Sequence, residues 1–182
     1  MTDLNEYLAQ KRLAVLARQK AAEADPRPVA VKARVRAMGR SGIREIRIRD
    51  FQIISDSKPD LAGYDLGPGS PEMQLGVLGS CITHITLIQA ALREVPLDAV
   101  EVEVEADQHP PVGETATPSG PLHPHNIRYR LRLESTAPPE TLRSLHEAIE
   151  AACPILSLLV NPQKVAGEML LNGETISRLS RG

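Results

Sequence analysis

Residues 71–93, PEMQLGVLGSCITHITLIQAALR, form a long apolar stretch around which the rest of the chain must fold. At helical pitch its apolar side chains fall on nearly every side, and a helix without a polar face is a buried one. Other elements of the chain are therefore expected to wrap around it. Glu72 and Gln74 near its start, together with its Ser, Thr and His residues, argue against a membrane span.

The two cysteines of the chain both lie in apolar segments. Cys81 is near the middle of the central stretch, and Cys153 opens a second apolar run, CPILSLLV. In an intracellular protein such a pair more often serves as reactive thiols than as a structural disulfide. The alternative is that both cysteines are small buried hydrophobic residues. The sequence alone leaves the distance between them open.

Length and charge limit the possible functions. A chain of 182 residues holds one domain with a core, or one domain with an appendage. Its 21 basic and 23 acidic residues give a net charge of -2 without long blocks of one sign, which disfavours nucleic acid or an anionic membrane as partner. Trp is absent and Phe occurs once, so a stacking platform for single strands cannot be built. The N-terminus has no apolar signal segment, and we expect a cytoplasmic protein.

The first segment is predicted to be a helical extension. Residues 3–24 are mostly good helix formers with a partial apolar stripe, and Pro26 and Pro28 end the helix. The chain is therefore divided into an N-terminal helical extension, residues 1–26, and one domain, residues 27–182. Because the stripe needs cover, the helix is expected to pack on the domain or on a second subunit.

Alternating patterns predict a β-hairpin before the central helix. Residues 29–36 alternate apolar and polar side chains, a turn follows at 39–42, and a second strand runs from residue 43 to about residue 55. The alternation slips between Ile48 and Phe51, which indicates a bulge or a bend in that strand.

A second pair of strands is predicted after the central helix. Residues 100–106 alternate Val or Ala with Glu, and residues 127–133 alternate apolar with basic residues. Acidic outer positions on one strand and basic ones on the next fit an antiparallel pair with cross-strand ion pairs. The segment between them, residues 109–124, is rich in Pro, Gly and Thr and is expected to be a mobile loop.

The last part of the chain adds two helices and a strand. Pro138-Pro139 starts a helix that extends to about residue 152, and Cys153-Pro154 starts a short helix that Pro162 ends. Residues 165–171 are predicted to be the last strand and residues 176–182 a tail. The fold class is therefore α+β, with helices on a mostly antiparallel sheet.

Several motifs together carry a resemblance to a known family. They are DSKPDLAGYDLGPGSP at 56–71, SPEMQLGVLGSC at 70–81, VPLDAVEVEVEAD at 95–107 and AACPILSLL at 151–159. Over residues 29–171 the chain resembles the OsmC/Ohr family of thiol-dependent hydroperoxide reductases. The resemblance implies an intertwined homodimer in which antiparallel sheets wrap two buried central helices, with two active sites at the subunit interface.

The resemblance also implies roles for single residues. Cys81 matches the cysteine that reduces the hydroperoxide, and Cys153 matches the cysteine that resolves it as a disulfide. Glu72 matches the carboxylate of the family's central helix. Arg40, in the turn MGRSG, is the best match for the arginine that activates the thiol.

Some features separate this chain from the hydroperoxide-resistance branch. In that branch the Pro-Glu pair stands one position further from the cysteine, and an aromatic residue follows the cysteine where this chain has Ile82. The chain therefore resembles the general OsmC-like branch. Arg36 and Arg44 are close rivals of Arg40 for the activating role.

Peroxide reduction requires a thiolate at Cys81. Burial in an apolar helix raises the pKa of a thiol, so a cation must offset it, and an arginine stays charged at any working pH. Glu72 would orient that arginine, while Cys153, just before Pro at a helix start, would lie at the positive end of the helix dipole. The simpler alternatives are that Glu72 is a first-turn acid favoured by the dipole and that Arg40 is a solvated turn residue.

The histidines are not expected to extend the site. His84 shares a helix face with Cys81 but is interpreted as a satisfied core histidine. His109, His123 and His125 are interpreted as loop composition, since no matching Cys or carboxylate spacing completes a metal site. No metal and no nucleotide or flavin cofactor is expected.

The sequence thus predicts a cytosolic dimeric thiol peroxidase that reduces organic hydroperoxides to alcohols. Apolar walls formed by Leu78, Ile82 and Ile85 would favour alkyl or fatty-acid hydroperoxides. The resemblance implies a dithiol reductant such as a lipoylated protein. The alternative is a dimeric OsmC-like stress protein that binds a small apolar ligand with little or no turnover, which the shifted Pro-Glu spacing and the missing aromatic favour.

Overall fold

The computed structural model describes residues 3–109 and 120–182 of the chain. Four α-helices and seven strands follow one another along these residues. They are α1 (Leu4–Ala24), β1 (Arg34–Ala37), β2 (Arg44–Ile48), β3 (Phe51–Ser55), α2 (Ser70–Arg93), β4 (Ala99–Asp107), β5 (His125–Glu134), α3 (Pro139–Ala152), α4 (Pro154–Val160), β6 (Val165–Leu171) and β7 (Glu174–Arg181). The strands form three separate antiparallel sheets, β1–β2–β3, β4–β5 and β6–β7, so the predicted α+β class is confirmed.

The loop before α2 is fastened by a buried carboxylate. Asp56 is buried and accepts the backbone N–H groups of Ser57, Tyr64 and Leu66 at 2.8, 3.0 and 3.3 Å. Burial alone would raise the pKa of Asp56, but these hydrogen bonds, with the nearby charge of Arg44, bring it below its ordinary value. The loop is thereby held in the shape that delivers the chain to the start of α2.

The start and the middle of α2 follow from its sequence. Pro71 stands in the first turn, where a missing N–H costs no hydrogen bond, and Glu72 Oε2 accepts the N–H of Gly69 at 2.7 Å. Further along, α2 approaches β4 closely. A Cβ added to Gly79 would lie 3.3 Å from Val104 Cγ2, so glycine at this position allows the close approach of helix and sheet.

The buried apolar residues form one cluster around α2. Leu78 and Ile82 come from α2, and Leu145 and Ile149 from the apolar stripe of α3. The remaining buried members are Leu8, Ile85, Ala90, Ala91, Val95, Leu97 and Cys153. The core is therefore made by the helices and the inner face of β4–β5, while β1–β2–β3 and β6–β7 add none of its buried apolar residues.

The N-terminal helix is fixed to this core. Leu8 of α1 is buried in the cluster, and Asn5 Oδ1 accepts the backbone N–H of Leu97 at 2.9 Å. Arg12 of α1 forms an ion pair with Glu94 at 3.4 Å. Helix α1 thus covers the C-terminal half of α2 within the same chain, whereas the domain division at residue 27 stays a prediction.

One side of α2 is uncovered in a single chain, so its complete wrapping by other elements stays a prediction. Val77, one turn before Cys81, is 50% exposed, although α1, α3, α4 and β4 contact other parts of the helix. By length and composition α2 also satisfies the criteria for a membrane span, as the core helices of soluble proteins often do. Its contacts with four other elements are those of a core helix with one side left uncovered.

The predicted pairing of β4 with β5 is confirmed. Glu101, Glu103 and Glu105 stand opposite Arg132, Arg130 and Arg128 in the register. The ion pairs formed include Glu105 with Arg128 at 3.0 Å and Glu103 with Arg132 at 2.9 Å. Each exposed pair adds little stability, but together they fix the register. Most of the loop predicted at 109–124 lies outside the described residues, which resume at Gly120.

The first sheet differs from the prediction at two points. Residues 29–33 are not part of a strand, since β1 begins at Arg34. The slip between Ile48 and Phe51 is not a bulge but a two-residue turn, in which Arg49 has a φ of 53° and Ile48 pairs with Phe51. Two polar residues between apolar ones here reverse the chain, and three strands result instead of two.

The predicted tail is also wrong, because residues 174–181 form β7 and pair with β6. The turn between them is Asn172-Gly173, both with positive φ, 51° and 92°. Asn-Gly is the dipeptide that two-residue hairpin turns favour, because both positions require the left-handed region. The sequence therefore contained a hairpin signal at this position.

We expect that shortening Leu145 to Ala will weaken the core. The side chain is fully buried at 0% exposure, so the free energy of unfolding should fall by about 2–5 kcal/mol. Leu13→Ala is the matched control, since Leu13 is exposed on α1 and its loss should change the unfolding free energy by about 0.5 kcal/mol or less. Urea unfolding followed by circular dichroism measures both, and equal effects of the two variants would contradict the core described here.

Candidate thiol site

The two cysteines, 72 residues apart in sequence, lie side by side. The Sγ atoms of Cys81 and Cys153 are 3.5 Å apart, with Cys81 in the middle of α2 and Cys153 at the junction of α3 and α4. Cys153 is 1% exposed, whereas Cys81 is partly open to solvent. The described chain thus holds a buried thiol directly behind a more accessible one.

Pro154 creates the junction that presents Cys153. Proline has no N–H to donate and disfavours helical geometry in the residue before it, so α3 ends at Ala152. Cys153 has extended backbone angles, φ -78° and ψ 110°, and α4 starts immediately after it. The break between the two helices turns the Cys153 side chain towards α2.

The surroundings of Cys81 oppose ionisation. Burial raises the pKa of the Cys81 thiol, and the neighbouring Cys153 raises it further, while a hydrogen bond from the backbone N–H of Ile155 acts in the opposite direction. Within the described residues no lysine or arginine contributes to lowering that pKa. The described part of one chain therefore brings the two sulfurs together without the cation that a reactive thiolate needs.

Glu72 acts in this chain as a helix cap. Besides Gly69, it contacts Lys58, whose Nζ lies 3.5 Å from Oε1. The N–H of Gly69 and the charge of Lys58 lower the pKa of Glu72, against a smaller effect of burial. Nine residues of helix separate Glu72 from Cys81, about 13 Å along the axis, so the two residues of one chain do not meet.

The candidate arginines belong to the first sheet, Arg36 and Arg44 in its strands and Arg40 in the turn between them, and none contributes to the pKa of Cys81. Arg40 is exposed in the turn between β1 and β2 and makes no hydrogen bond or ion pair with the described residues. Arg36 Nε contacts Glu45 Oε2 at 2.5 Å. Arg44 donates to Ser55 Oγ and to the carbonyl oxygen of Asp56, both at 3.0 Å, and shares a cavity of about 460 Å³ with Glu72. Their assignment as activating residues stays a prediction.

A polar cluster between β5 and α3 was not found from the sequence. Tyr129 of β5 lies between two side chains of α3, with its hydroxyl oxygen 2.5 Å from His146 Nε2 and 2.6 Å from Glu150 Oε1. All three line a groove of about 660 Å³ between β5 and α3. Burial, followed by Glu150 and Cys153, strongly raises the pKa of the Tyr129 hydroxyl. The sequence did contain a signal for this cluster, because Tyr129 is the one residue with a hydroxyl among the inward positions of β5, which otherwise hold Ile127, Leu131 and Leu133.

Of the other histidines, His84 departs from its prediction, whereas His109 and His123 lie outside the helices and strands, as predicted. His84 is exposed on α2 near Lys11 and is not a core histidine, because the helix face it occupies is covered only in part. His109 and His125 stack with ring centroids 5.0 Å apart, while His123 is exposed. No group of three or more His, Cys, Asp or Glu residues suited to a metal ion occurs in residues 3–109 and 120–182.

Comparison with known proteins places this geometry in context. Residues 63–167 match the family described as OsmC-like protein. The OsmC-like protein of Mycoplasma pneumoniae is similar in structure, with a TM-score of 0.62 and 14% identity over 73% of this chain and 89% of that one. An OsmC-like protein of unknown function from Vibrio cholerae gives 0.57 and 13% identity, over 71% of this chain and 93% of that one.

The organic hydroperoxide resistance protein OsmC of Legionella pneumophila gives a TM-score of 0.52 with 15% identity, over 74% of this chain and 91% of that one. At identities this low, the likeness between the structures concerns the fold. A comparison with the curated proteins gives no significant match.

We expect the two thiols to form an intramolecular disulfide under mild oxidation. A disulfide requires the Sγ atoms to move from 3.5 Å to about 2.0 Å, a shift that side-chain rotation can provide. Diamide should remove both free thiols and lower the mass of the denatured protein by about 2 Da, the two hydrogens lost with a disulfide. Cys81→Ser should keep its one free thiol and show no loss of about 2 Da. Two free thiols in the unmodified protein after diamide treatment would contradict the observed distance.

Proposed function

Since the chain belongs to the OsmC-like protein family, with a match over more than half of its length, we propose that it reduces organic hydroperoxides to alcohols through its two thiols. The observation that carries this proposal is the 3.5 Å distance between the Sγ atoms of Cys81 and Cys153. A peroxidase of this kind needs an accessible sulfur to meet the substrate and a second sulfur within reach of the first. The name of the Legionella pneumophila protein, an organic hydroperoxide resistance protein, supports the same substrate class.

The proposed reaction has two steps and ends with a disulfide, which a separate reductant must return to two thiols. The Cys81 thiolate attacks the terminal oxygen of the hydroperoxide, the O–O bond breaks, and the alkoxide takes up a proton to leave as the alcohol. Cys153 then attacks the sulfenic acid of Cys81, so that an S–S bond forms, the S–O bond breaks and water leaves. A dithiol reductant such as a lipoylated protein returns both cysteines to thiols. A cytoplasmic location, which we also propose, would keep them reduced.

The substrate surface differs from the one expected. Leu78, Ile82 and Ile85 belong to the buried core, so they cannot form the walls of an open substrate pocket. Val77 lies one turn before Cys81 on the same helix face and is half exposed. This open apolar surface beside the accessible sulfur supports an organic hydroperoxide, in preference to hydrogen peroxide, as the substrate.

A homodimer is part of the proposal, because one chain leaves apolar surfaces uncovered. In the β6–β7 hairpin Val165, Met169 and Leu179 point to one side, and all are exposed. Glu168 and Arg178 form an ion pair on the other side at 2.9 Å. An amphipathic two-stranded hairpin is marginal alone and needs an apolar surface to pack on, which a second copy with its open α2 face would provide.

The homodimer would also complete the site. No lysine or arginine of the described residues lowers the pKa of Cys81, and Glu72 lies about 13 Å away along the same helix. We propose that the partner subunit brings the activating arginine, Arg40 in the first instance, together with a carboxylate. Arg36 and Arg44 are less available, since each already has partners in its own chain.

The alternative function is a dimeric protein that binds a small apolar ligand with little turnover. The raised pKa of Cys81 favours it, because an inert thiol at neutral pH would not reduce peroxide at a useful rate. The two functions differ in a simple observation, which is whether Cys81 reacts with hydroperoxide within seconds.

We expect Cys81→Ser to abolish reduction of cumene hydroperoxide, with a loss of at least about 10³-fold, because no other residue supplies the attacking sulfur. Cys153→Ser should consume one equivalent and stop at a sulfenic acid on Cys81, detectable as a dimedone adduct by mass spectrometry. Leu13→Ala serves as the unchanged control. Full turnover by both cysteine variants would refute the peroxidase.

We expect Leu179→Lys to weaken the dimer, since it places a charge in the apolar side of the β6–β7 hairpin. Light scattering coupled to size exclusion should find the unmodified protein at twice the chain mass and the variant shifted towards one chain. Leu122→Lys, at an exposed loop position, is the matched control and should not shift the mass. A monomeric unmodified protein at micromolar concentration would count against the homodimer.

A further inference from the structure

Basic residues are concentrated in and around the first sheet. Residues 32–49 hold 7 of the 21 lysines and arginines of the chain, Lys32 and six arginines, but only one acid, Glu45. The chain as a whole has a net charge of -2. The first sheet is therefore a positively charged part of a nearly neutral protein.

Two of these arginines stand directly opposite each other. In the antiparallel register Arg34 of β1 pairs with Arg47 of β2, and Arg36 of β1 pairs with Glu45 of β2. Like charges at directly opposite positions destabilise a pair of strands. In the β4–β5 pair, by contrast, Glu101, Glu103 and Glu105 each face an arginine. The first sheet thus retains a repulsion that the second sheet avoids, and such a conflict with a local rule is typical of functional sites.

A buried glutamate holds two of the arginines in place. Glu45 is 4% exposed, and its Oε2 accepts from Arg36 Nε at 2.5 Å while its Oε1 accepts from Arg47 Nε at 3.0 Å. Arg34 makes no hydrogen bond or ion pair with the described residues. All four side chains line one cavity of about 210 Å³. We call Arg34, Arg36 and Arg47 the arginine cluster, and with Glu45 beneath it the cluster keeps a charge of +2.

The arginine cluster lies on the face of the sheet that the proposed homodimer leaves open. Side chains alternate between the two faces of a strand, so Val35, Ile46 and Ile53 lie together on the opposite face. Val35 and Ile53 are exposed apolar residues, and this is the face that a second copy would cover. The side chains of Arg36 and Arg47 are 62% and 48% exposed, so their guanidinium groups stay accessible to a ligand.

We propose that the arginine cluster binds a phosphate group, in the dianionic form that a phosphomonoester takes near neutral pH. A charge of -2 would neutralise the +2 of the cluster. Guanidinium groups are planar forks whose N–H groups match the oxygens of a phosphate. The Cβ atoms of opposite residues are about 5 Å apart, and alternate residues of one strand are about 7 Å apart. Three long side chains at this spacing can reach one tetrahedral group.

Charge and surroundings favour a phosphomonoester over other anions. A carboxylate, or a phosphodiester of nucleic acid, brings one negative charge per group and would leave part of the cluster unneutralised. Bases would also have nothing to stack on beside the arginines, because Phe51, the single Phe of the chain, lies on the apolar face of the sheet. The site shares no residue with the thiol pair, so it does not depend on the proposed peroxidase.

The test measures phosphate binding with and without the unpaired arginine. Inorganic phosphate and glycerol 3-phosphate are each titrated into the protein at constant ionic strength, with binding followed by phosphorus NMR. The unmodified protein should bind one phosphate group per chain with a dissociation constant of about 1 mM or lower, and Arg34→Gln should weaken binding about tenfold or more. Arg18→Gln, which removes the same charge from an exposed position of α1, is the matched control and should keep the affinity. Tighter binding of the ester than of inorganic phosphate would identify a phosphorylated small molecule as the ligand.

Thermal unfolding distinguishes a binding site from a merely repulsive surface. Without phosphate, Arg34→Gln should unfold about 1 °C above the unmodified protein, because the repulsion with Arg47 is gone. In about 20 mM phosphate the order should reverse, since a ligand stabilises the protein that binds it more tightly.

Three results would overturn the phosphate site. They are equal phosphate affinity of Arg34→Gln and Arg18→Gln, binding to the unmodified protein weaker than about 10 mM, and an unchanged order of unfolding temperatures in phosphate. A short single-stranded oligonucleotide that bound more tightly than the ester, with the same loss in Arg34→Gln, would replace the phosphomonoester by nucleic acid and would equally overturn the proposal.

Discussion

The need to cover α2 with apolar surface governs the rest of the structure. A helix that is apolar on most sides gains about 25 cal/mol for each Å² of apolar area removed from water, and the chain arranges its other elements accordingly. Gly79 lets β4 approach closely, and Leu145 and Ile149 bring α3 against the helix. Helix α1 adds Leu8 over the C-terminal half. What one chain leaves uncovered, around Val77, lies beside the accessible thiol, so the incomplete core and the candidate site share one surface.

A single proline links this packing to chemistry. Because Pro154 interrupts the run from α3 to α4, Cys153 is an extended residue between two helices, and its side chain enters the core next to Cys81. The same interruption frees the N–H of Ile155 to bond the Cys81 sulfur. The helix break at Pro154 therefore contributes to the short distance between the thiols, to their unequal exposure, and to the hydrogen bond from Ile155 that lowers the pKa of Cys81.

Much of the fold could be predicted from the sequence where a local pattern determines the result. The Glu and Arg alternation of residues 100–106 and 127–133 predicted both strands and their register, since a one-residue slip would oppose apolar to charged positions. The helix break at Pro154 was equally local. The turns at Arg49-Asp50 and Asn172-Gly173 were missed although their signals were local too, because short polar interruptions were taken for a bend or for the end of the fold.

The site was less predictable, because its geometry depends on how distant elements cross. Nothing local in sequence relates Cys81 to Cys153, and the 3.5 Å between their sulfurs results from the packing of α3 and α4 against α2. The hydrogen bonds of Tyr129 likewise join β5 to α3. Arg40 was inferred from a resemblance. It lies in the turn between β1 and β2, in a sheet that contributes nothing to the buried core, so the packing of one chain does not bring it to Cys81.

The arrangement of a buried sulfur directly behind an exposed one has a kinetic consequence. An oxidised Cys81 would meet Cys153 at an effective molarity far above the concentration of any peroxide in solution, because the two groups are already in contact. Disulfide formation would then outrun a second oxidation of the same sulfur to sulfinic acid, which cells do not generally reverse. The burial of Cys153 also screens it from direct oxidation. This geometry would protect Cys81 from irreversible oxidation at high peroxide concentration. It would not suit a sensor, in which the sulfenic acid has to accumulate.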